Sequence, residues 1–114
     1  MDANHRLATY GSLAPGRENA HQLDALQGDW TVGVVRGRLS HSGWGARIGY
    51  PGIRPDPNGQ AVEVHIFESN DLPDHWARLD AFEGEAYQRT VVIAETHSGP
   101  KPVCIYALAP EPNA

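Results

Sequence analysis

With 114 residues the chain is the length of one domain, long enough for a single core and one cleft. Its 40% hydrophobic and 20% charged residues describe a globular chain rather than a disordered one. Nine basic residues against 14 acidic ones give a net charge of −5 without any basic run. Binding to a phosphate backbone needs clustered Lys and Arg, so no nucleic-acid partner is expected. No apolar run approaches bilayer length and the first residues lack a secretory apolar region, so no membrane association and a cytoplasmic location are expected.

In chain order, His5 to Tyr10 reads as a first strand ending at Gly11. Arg17 to Gln27 carries Ala20, Leu23 and Leu26 among charges, the spacing of a short amphipathic helix stopped by Gly28. Thr31 to Leu39 is valine-rich and extended, with Gly33 and Gly37 suggesting a bulge or bend. Gly43 to Gly59 holds five glycines and three prolines, which is loop chemistry with one short strand around Arg47 to Tyr50. Val62 to Phe67 alternates as a half-buried strand does. Asp71 reads as the N-cap of a helix running to about Phe82, with Gly84 as its C-terminal cap. Tyr87 to Glu95 and Val103 to Leu108 are the last strands, separated by Ser98-Gly99-Pro100. The final strand is apolar on both faces and is therefore placed centrally. The pattern predicts an α+β protein, a small mixed β-barrel of five to six strands flanked by two or more short helices, forming a single domain over residues 1–114.

Helix 71–82 is the most informative segment. Leu72, Trp76 and Leu79 recur at i, i+4 and i+7 and form a core-facing stripe. At about 100° per residue, Glu83 falls only ~20° from Leu72 and continues that stripe. An inward carboxylate at a helix C-terminus is disfavoured both by burial and by the macrodipole, and both raise its pKa. That is the usual route to a glutamate acid–base at neutral pH. Spacing leaves a second reading open, in which Glu83 lies past the helix end, faces solvent and pairs with Arg89.

Tyr10-Gly11-Ser12-Leu13-Ala14-Pro15-Gly16 follows the first strand at once. Such a turn exposes consecutive backbone N–H groups, which can bind a carboxylate or an oxyanion, although most Gly-Ser turns only reverse the chain. The phosphate-loop pattern is absent. Ser12 lacks the Gly-x-Ser-x-Gly setting of a nucleophile. The six histidines show no pair at metal-site spacing, so no metal is expected. Cys104, the single cysteine, sits in an apolar strand as a core thiol. Trp30, Trp44 and Trp76 read as core or loop anchors.

Together these segments resemble the γ-glutamylcyclotransferase-like family, including its plant avirulence-induced members. Tyr10-Gly11-Ser12-Leu13 is similar to the family's Tyr-Gly-Ser/Thr-Leu signature, and Gly49-Tyr50-Pro51-Gly52-Ile53 to its Tyr-Pro-Gly loop. Leu79-Asp80-Ala81-Phe82-Glu83-Gly84 with Tyr87-Gln88-Arg89 resembles its Leu-Asp-x-x-Glu-Gly…Tyr-x-Arg segment. Cys104-Ile105-Tyr106 matches its late strand. The order and spacing agree from about residue 7 to 108. The resemblance implies a transferase or lyase-type cyclisation without cofactor or metal, in which a γ-glutamyl amine or amino acid yields 5-oxoproline and a released amine. It implies Glu83 as the acid–base and the Gly11, Ser12 and Leu13 amides as the anion site. Tyr10, Tyr50, Tyr87 and Tyr106 would wall the pocket. One departure stands out: where the family commonly has Gly-Glu-apolar-Tyr, this chain has Val62-Glu63-Val64-His65. A non-catalytic binding module of the same fold and an amidase-type hydrolase using Glu83 are the alternative readings.

Overall fold

The computed structural model describes residues 2–11, 13–17, 19–40 and 51–109. Six strands run in the order β3-β2-β4-β1-β6-β5: β1 (Arg6–Thr9), β2 (Asp29–Ser40), β3 (Gly52–Pro55), β4 (Gln60–Glu68), β5 (Tyr87–Thr96) and β6 (Gly99–Leu108). A further β2–β5 pairing, Val34 opposite Glu95, closes five of them into a barrel and leaves β3 as an extra strand on β2. Among the described residues only β1 and β6 pair in parallel, with Leu7 opposite Cys104; the other pairs are antiparallel. The helix α1 (Trp76–Glu83) and short 3₁₀ turns pack outside.

Alternation along the strands sorts their side chains into two cores. Ala8, Val35, Val64, Ile66, Val103, Ile105 and Ala107 fill the barrel. Leu7, Phe67, Cys104 and Tyr106 point outward and meet Leu13, Leu23, Leu72, Trp76 and Leu79. β6 therefore contributes to both cores and lies between β1 and β5, as its two apolar faces predict. Cys104 is a buried thiol, also as expected.

The strand expectations hold within a few residues, apart from the one around Arg47 to Tyr50, which lies outside the described residues. No bulge interrupts β2 against β4: the register runs continuously from Asp29 opposite Glu68 to Gly37 opposite Gln60. Gly33 serves barrel closure instead. A Cβ there would stand 2.9 Å from the Glu95 carbonyl oxygen, so a side chain would push β2 away from β5.

Both helix expectations need correction, the first along its length and the second at its start. Among its described residues, the 17–27 segment forms no α-helix but a series of i→i+3 turns, with a 3₁₀ segment at Ala20–Leu23. Its buried residues, Leu23 and Leu26, are three apart, which suits a 3₁₀ spiral as well as an α one. The 71–82 segment divides into a 3₁₀ turn, Leu72–Asp74, and then α1. Asp71 does not cap it: its carboxylate accepts the Gln27 N–H at 2.9 Å, tying the two irregular segments together. Among the described residues no helix is long and apolar enough to cross a membrane.

Candidate active site

Glu83 is the last residue of α1 and lies on the same face as Trp76 and Leu79, all three buried. It is 7% exposed, so the solvent-facing reading of this residue is overturned. Gly84 then ends the helix at φ 78°, a left-handed conformation that glycine adopts without strain. A turn closed by the Tyr87 N–H to the Gly84 carbonyl (3.3 Å) brings the chain back into β5. The helix end is thus held where its carboxyl faces the protein. Burial pushes the Glu83 carboxyl up to about 7.

Tyr10 and Tyr106 lie within electrostatic reach of Glu83, whose charge helps raise both phenol pKa values; burial is the larger cause in each. Tyr87 acts in the same way on Tyr10. The structure therefore brings two of the four sequence-predicted tyrosines, Tyr10 and Tyr106, within reach of Glu83, with Tyr87 near Tyr10. Tyr50, like Ser12, lies outside the described residues.

Two of these hydroxyls are hydrogen-bonded within the protein. Tyr10 donates to the Tyr106 carbonyl (2.7 Å) and accepts from the Ile53 N–H (3.0 Å). Tyr106 donates to Asp80 Oδ1 at 2.6 Å. Arg89, the alternative partner for Glu83 in the sequence, ion-pairs with Asp80 instead, at 3.2 Å.

The Gly11 segment forms a turn in which the Ala14 N–H bonds to the Gly11 carbonyl at 3.0 Å. Leu13 and Ala14 are buried, Leu13 in the core that includes Leu79 and Trp76, which pins the turn beside α1. Two clefts open nearby. One, of about 480 Å³, is lined by Asp80, Gly84, Glu85, Tyr87, Arg89 and Tyr106. The other, of about 670 Å³, lies between the 14–17 turn, with Arg17 and Tyr10, and Glu63 and His65 of β4. The family departure splits accordingly: Val62 joins the barrel core, whereas His65 takes its place in a cleft. Neither Asp80 nor the His65 cleft was assigned a role from the sequence. Asp80 and Arg89 stood in the matched motifs, but their pairing exists only in three dimensions.

The raised carboxyl pKa carries a prediction on stability. The unfolded chain ionises this glutamate near 4.5 and the folded one near 7. Between those values the native state holds more protons, so Glu83's contribution falls as pH rises and its full penalty is reached above 7. Glu83→Gln removes that titration. It should therefore gain on the parent protein, by on the order of 3 kcal/mol, between pH ~4 and ~7.5. Urea unfolding of both proteins at the two pH values measures the difference. A Gln variant that instead loses ground at the higher pH would mark Glu83 as a stabilised, paired carboxylate.

Several solved structures share the fold. A mouse AIG2-like protein superposes with a TM-score of 0.72 at 20% identity, over 96% of this chain and 80% of the mouse chain. YkqA of Bacillus subtilis gives 0.69 at 23% identity over 91% of this chain but only 35% of its own, so this chain spans about a third of that relative. An Arabidopsis thaliana protein gives 0.65 at 23% identity, over 91% of this chain and 61% of the plant chain. At such identities the likeness is one of fold. No curated protein matches the sequence. The sequence pattern that does match extends from residue 7 to residue 114, and by it the chain belongs to the gamma-glutamyl cyclotransferase, AIG2-like family.

Proposed function

We propose that the protein cyclises a γ-glutamyl amine or γ-glutamyl amino acid to 5-oxoproline and releases the amine, with Glu83 as the only proton carrier. The observation that supports this most is a buried carboxyl, raised to about 7, at the end of α1, with Tyr10 and Tyr106 in electrostatic reach and Leu13 packed in the same core as Leu79 of that helix. Membership of the family supports the reaction class.

In this reading the Glu83 carboxylate takes a proton from the substrate's α-ammonium group. The freed amine attacks the γ-carbonyl carbon, forming the ring C–N bond and a tetrahedral oxyanion. The Gly11, Ser12 and Leu13 amides hold that oxyanion or the substrate carboxylate. The oxyanion then collapses and the original C–N bond breaks as Glu83 gives its proton to the departing nitrogen; Glu83 then takes the second proton from the ring nitrogen, leaving the neutral lactam, and passes it to the released amine. One group must accept a proton and later give it back, which a carboxyl near pH 7 does with little driving-force penalty in either direction. The chemistry as written uses no cofactor and no metal.

A panel of γ-glutamyl amines and γ-glutamyl amino acids, assayed for released 5-oxoproline, tests the proposal. Turnover of at least one member to 5-oxoproline is expected. Free glutamate would indicate a hydrolase, and binding without product a non-catalytic module.

A further inference from the structure

We propose that Tyr106 and Asp80 are positioning residues, a strut that holds the last turn of α1, and with it Glu83, against the turn that follows β1. This rests on the reading of Glu83 as the acid–base and adds to it the device that keeps the carboxyl in place.

Tyr106 is held at both ends. Its backbone carbonyl accepts the Tyr10 hydroxyl at 2.7 Å, and that hydroxyl in turn accepts the Ile53 N–H at 3.0 Å. Its own hydroxyl reaches out of β6 to Asp80 Oδ1 at 2.6 Å. Asp80 stands three residues before Glu83 on α1, so the bond lands within one helical turn of the carboxyl. The same Asp80 oxygen takes Arg89 of β5 at 3.2 Å, and the Arg89 guanidinium lies 4.5 Å over the Trp76 ring at the helix start. Trp76 meets Tyr106 edge-on at 6.4 Å. One carboxylate oxygen thus ties the end of α1 to two strands, while Tyr10 ties one of those strands to the Gly11 turn.

The helix needs such a tie. α1 has eight residues, too few to be stable alone, and its last turn contains no basic residue of its own to offset the dipole. The hydroxyls of Tyr10 and Tyr106 are spent on the protein, which assigns them to geometry rather than to the substrate. A displacement of the acid–base of about 1 Å is enough to cost up to roughly a hundredfold in rate.

The test titrates the Glu83 side-chain carboxyl by ¹³C NMR without substrate in the parent protein and in Tyr106→Phe, Asp80→Ala and Asp80→Asn, and measures kcat and KM of each. The groups that face Glu83, Tyr10 and Tyr106, ionise well above the range titrated. In Tyr106→Phe and Asp80→Ala the loosened helix end admits water, so the Glu83 midpoint should fall by about half to one pH unit toward the ordinary carboxylate value. Their kcat should fall about tenfold or more, with KM within about threefold. Asp80→Asn keeps an acceptor for the tyrosine and should recover much of both losses. The Tyr106→Phe/Asp80→Ala double variant should be no worse than either single one. An unchanged midpoint and kcat in Tyr106→Phe would overturn the strut. A raised KM at unchanged kcat would overturn it too, making Tyr106 a substrate ligand. A parent protein whose Glu83 titrates near 4.5 would remove the acid–base reading itself, an outcome visible before any variant is made.

Discussion

Glu83→Gln is expected to lower turnover roughly 10²–10⁴-fold while substrate binding survives nearly intact. Gln has the same shape and fits the same buried position at the end of α1, so the helix, its glycine cap and the tyrosines around it keep their places. What the amide lacks is a proton to accept and return. The parent carboxyl, raised to about 7 by burial, is about half ionised at neutral pH. Because the proposed reaction begins with the carboxylate, kcat/KM should fall as pH drops below ~7, and that limb should vanish in the Gln variant. Steady-state rates across pH 5–9 provide the check. Turnover of the variant within tenfold of the parent would exclude Glu83 as the acid–base.

Gly11→Val is expected to abolish substrate binding almost completely, whereas Ser12→Ala should cost less than about tenfold. In the proposed reaction backbone amides, not a side-chain hydroxyl, hold the anion. A β-branched residue at position 11 stiffens the backbone and places bulk where a ligand must approach. The turn has little room to yield, because the Gly11 carbonyl is bonded to the Ala14 N–H at 3.0 Å and Leu13 and Ala14 are buried behind it. Calorimetric titration with a slowly turned-over γ-glutamyl compound, using the Glu83→Gln background to suppress reaction, separates the two variants. The reverse ranking would make Ser12 a nucleophile.

What could be read from the chain, and what could not, follows from the range of the interactions involved. The burial of Glu83 was legible because Trp76, Leu79 and Glu83 share one helical face, a property of local spacing. The two faces of β6 were legible for the same reason, since alternation sorts its residues into the two cores. The 17–27 segment was misread because Leu23 and Leu26 satisfy a 3₁₀ turn and an α-helix equally well, and no long-range signal separates them. Asp71 was misread because its partner, the Gln27 amide, is 44 residues away. Arg89 stands six residues after Glu83 and invites a local pairing, yet Asp80 holds it. The strut escaped notice for a like reason: Tyr106 reaches Asp80 across 26 residues, and no periodicity connects a strand tyrosine to a helix aspartate.

In the proposed reaction the α-amine of the substrate, and not water, attacks the γ-carbonyl, with Glu83 moving the proton. Turnover of an accepted γ-glutamyl compound in ¹⁸O-enriched water, followed by mass analysis of the product, tests it most directly. Internal attack breaks one C–N bond and forms another, so one unlabelled 5-oxoproline is expected for each amine released, and no labelled product. Glutamate carrying one ¹⁸O in its γ-carboxyl group would show that water is the nucleophile, and would contradict it.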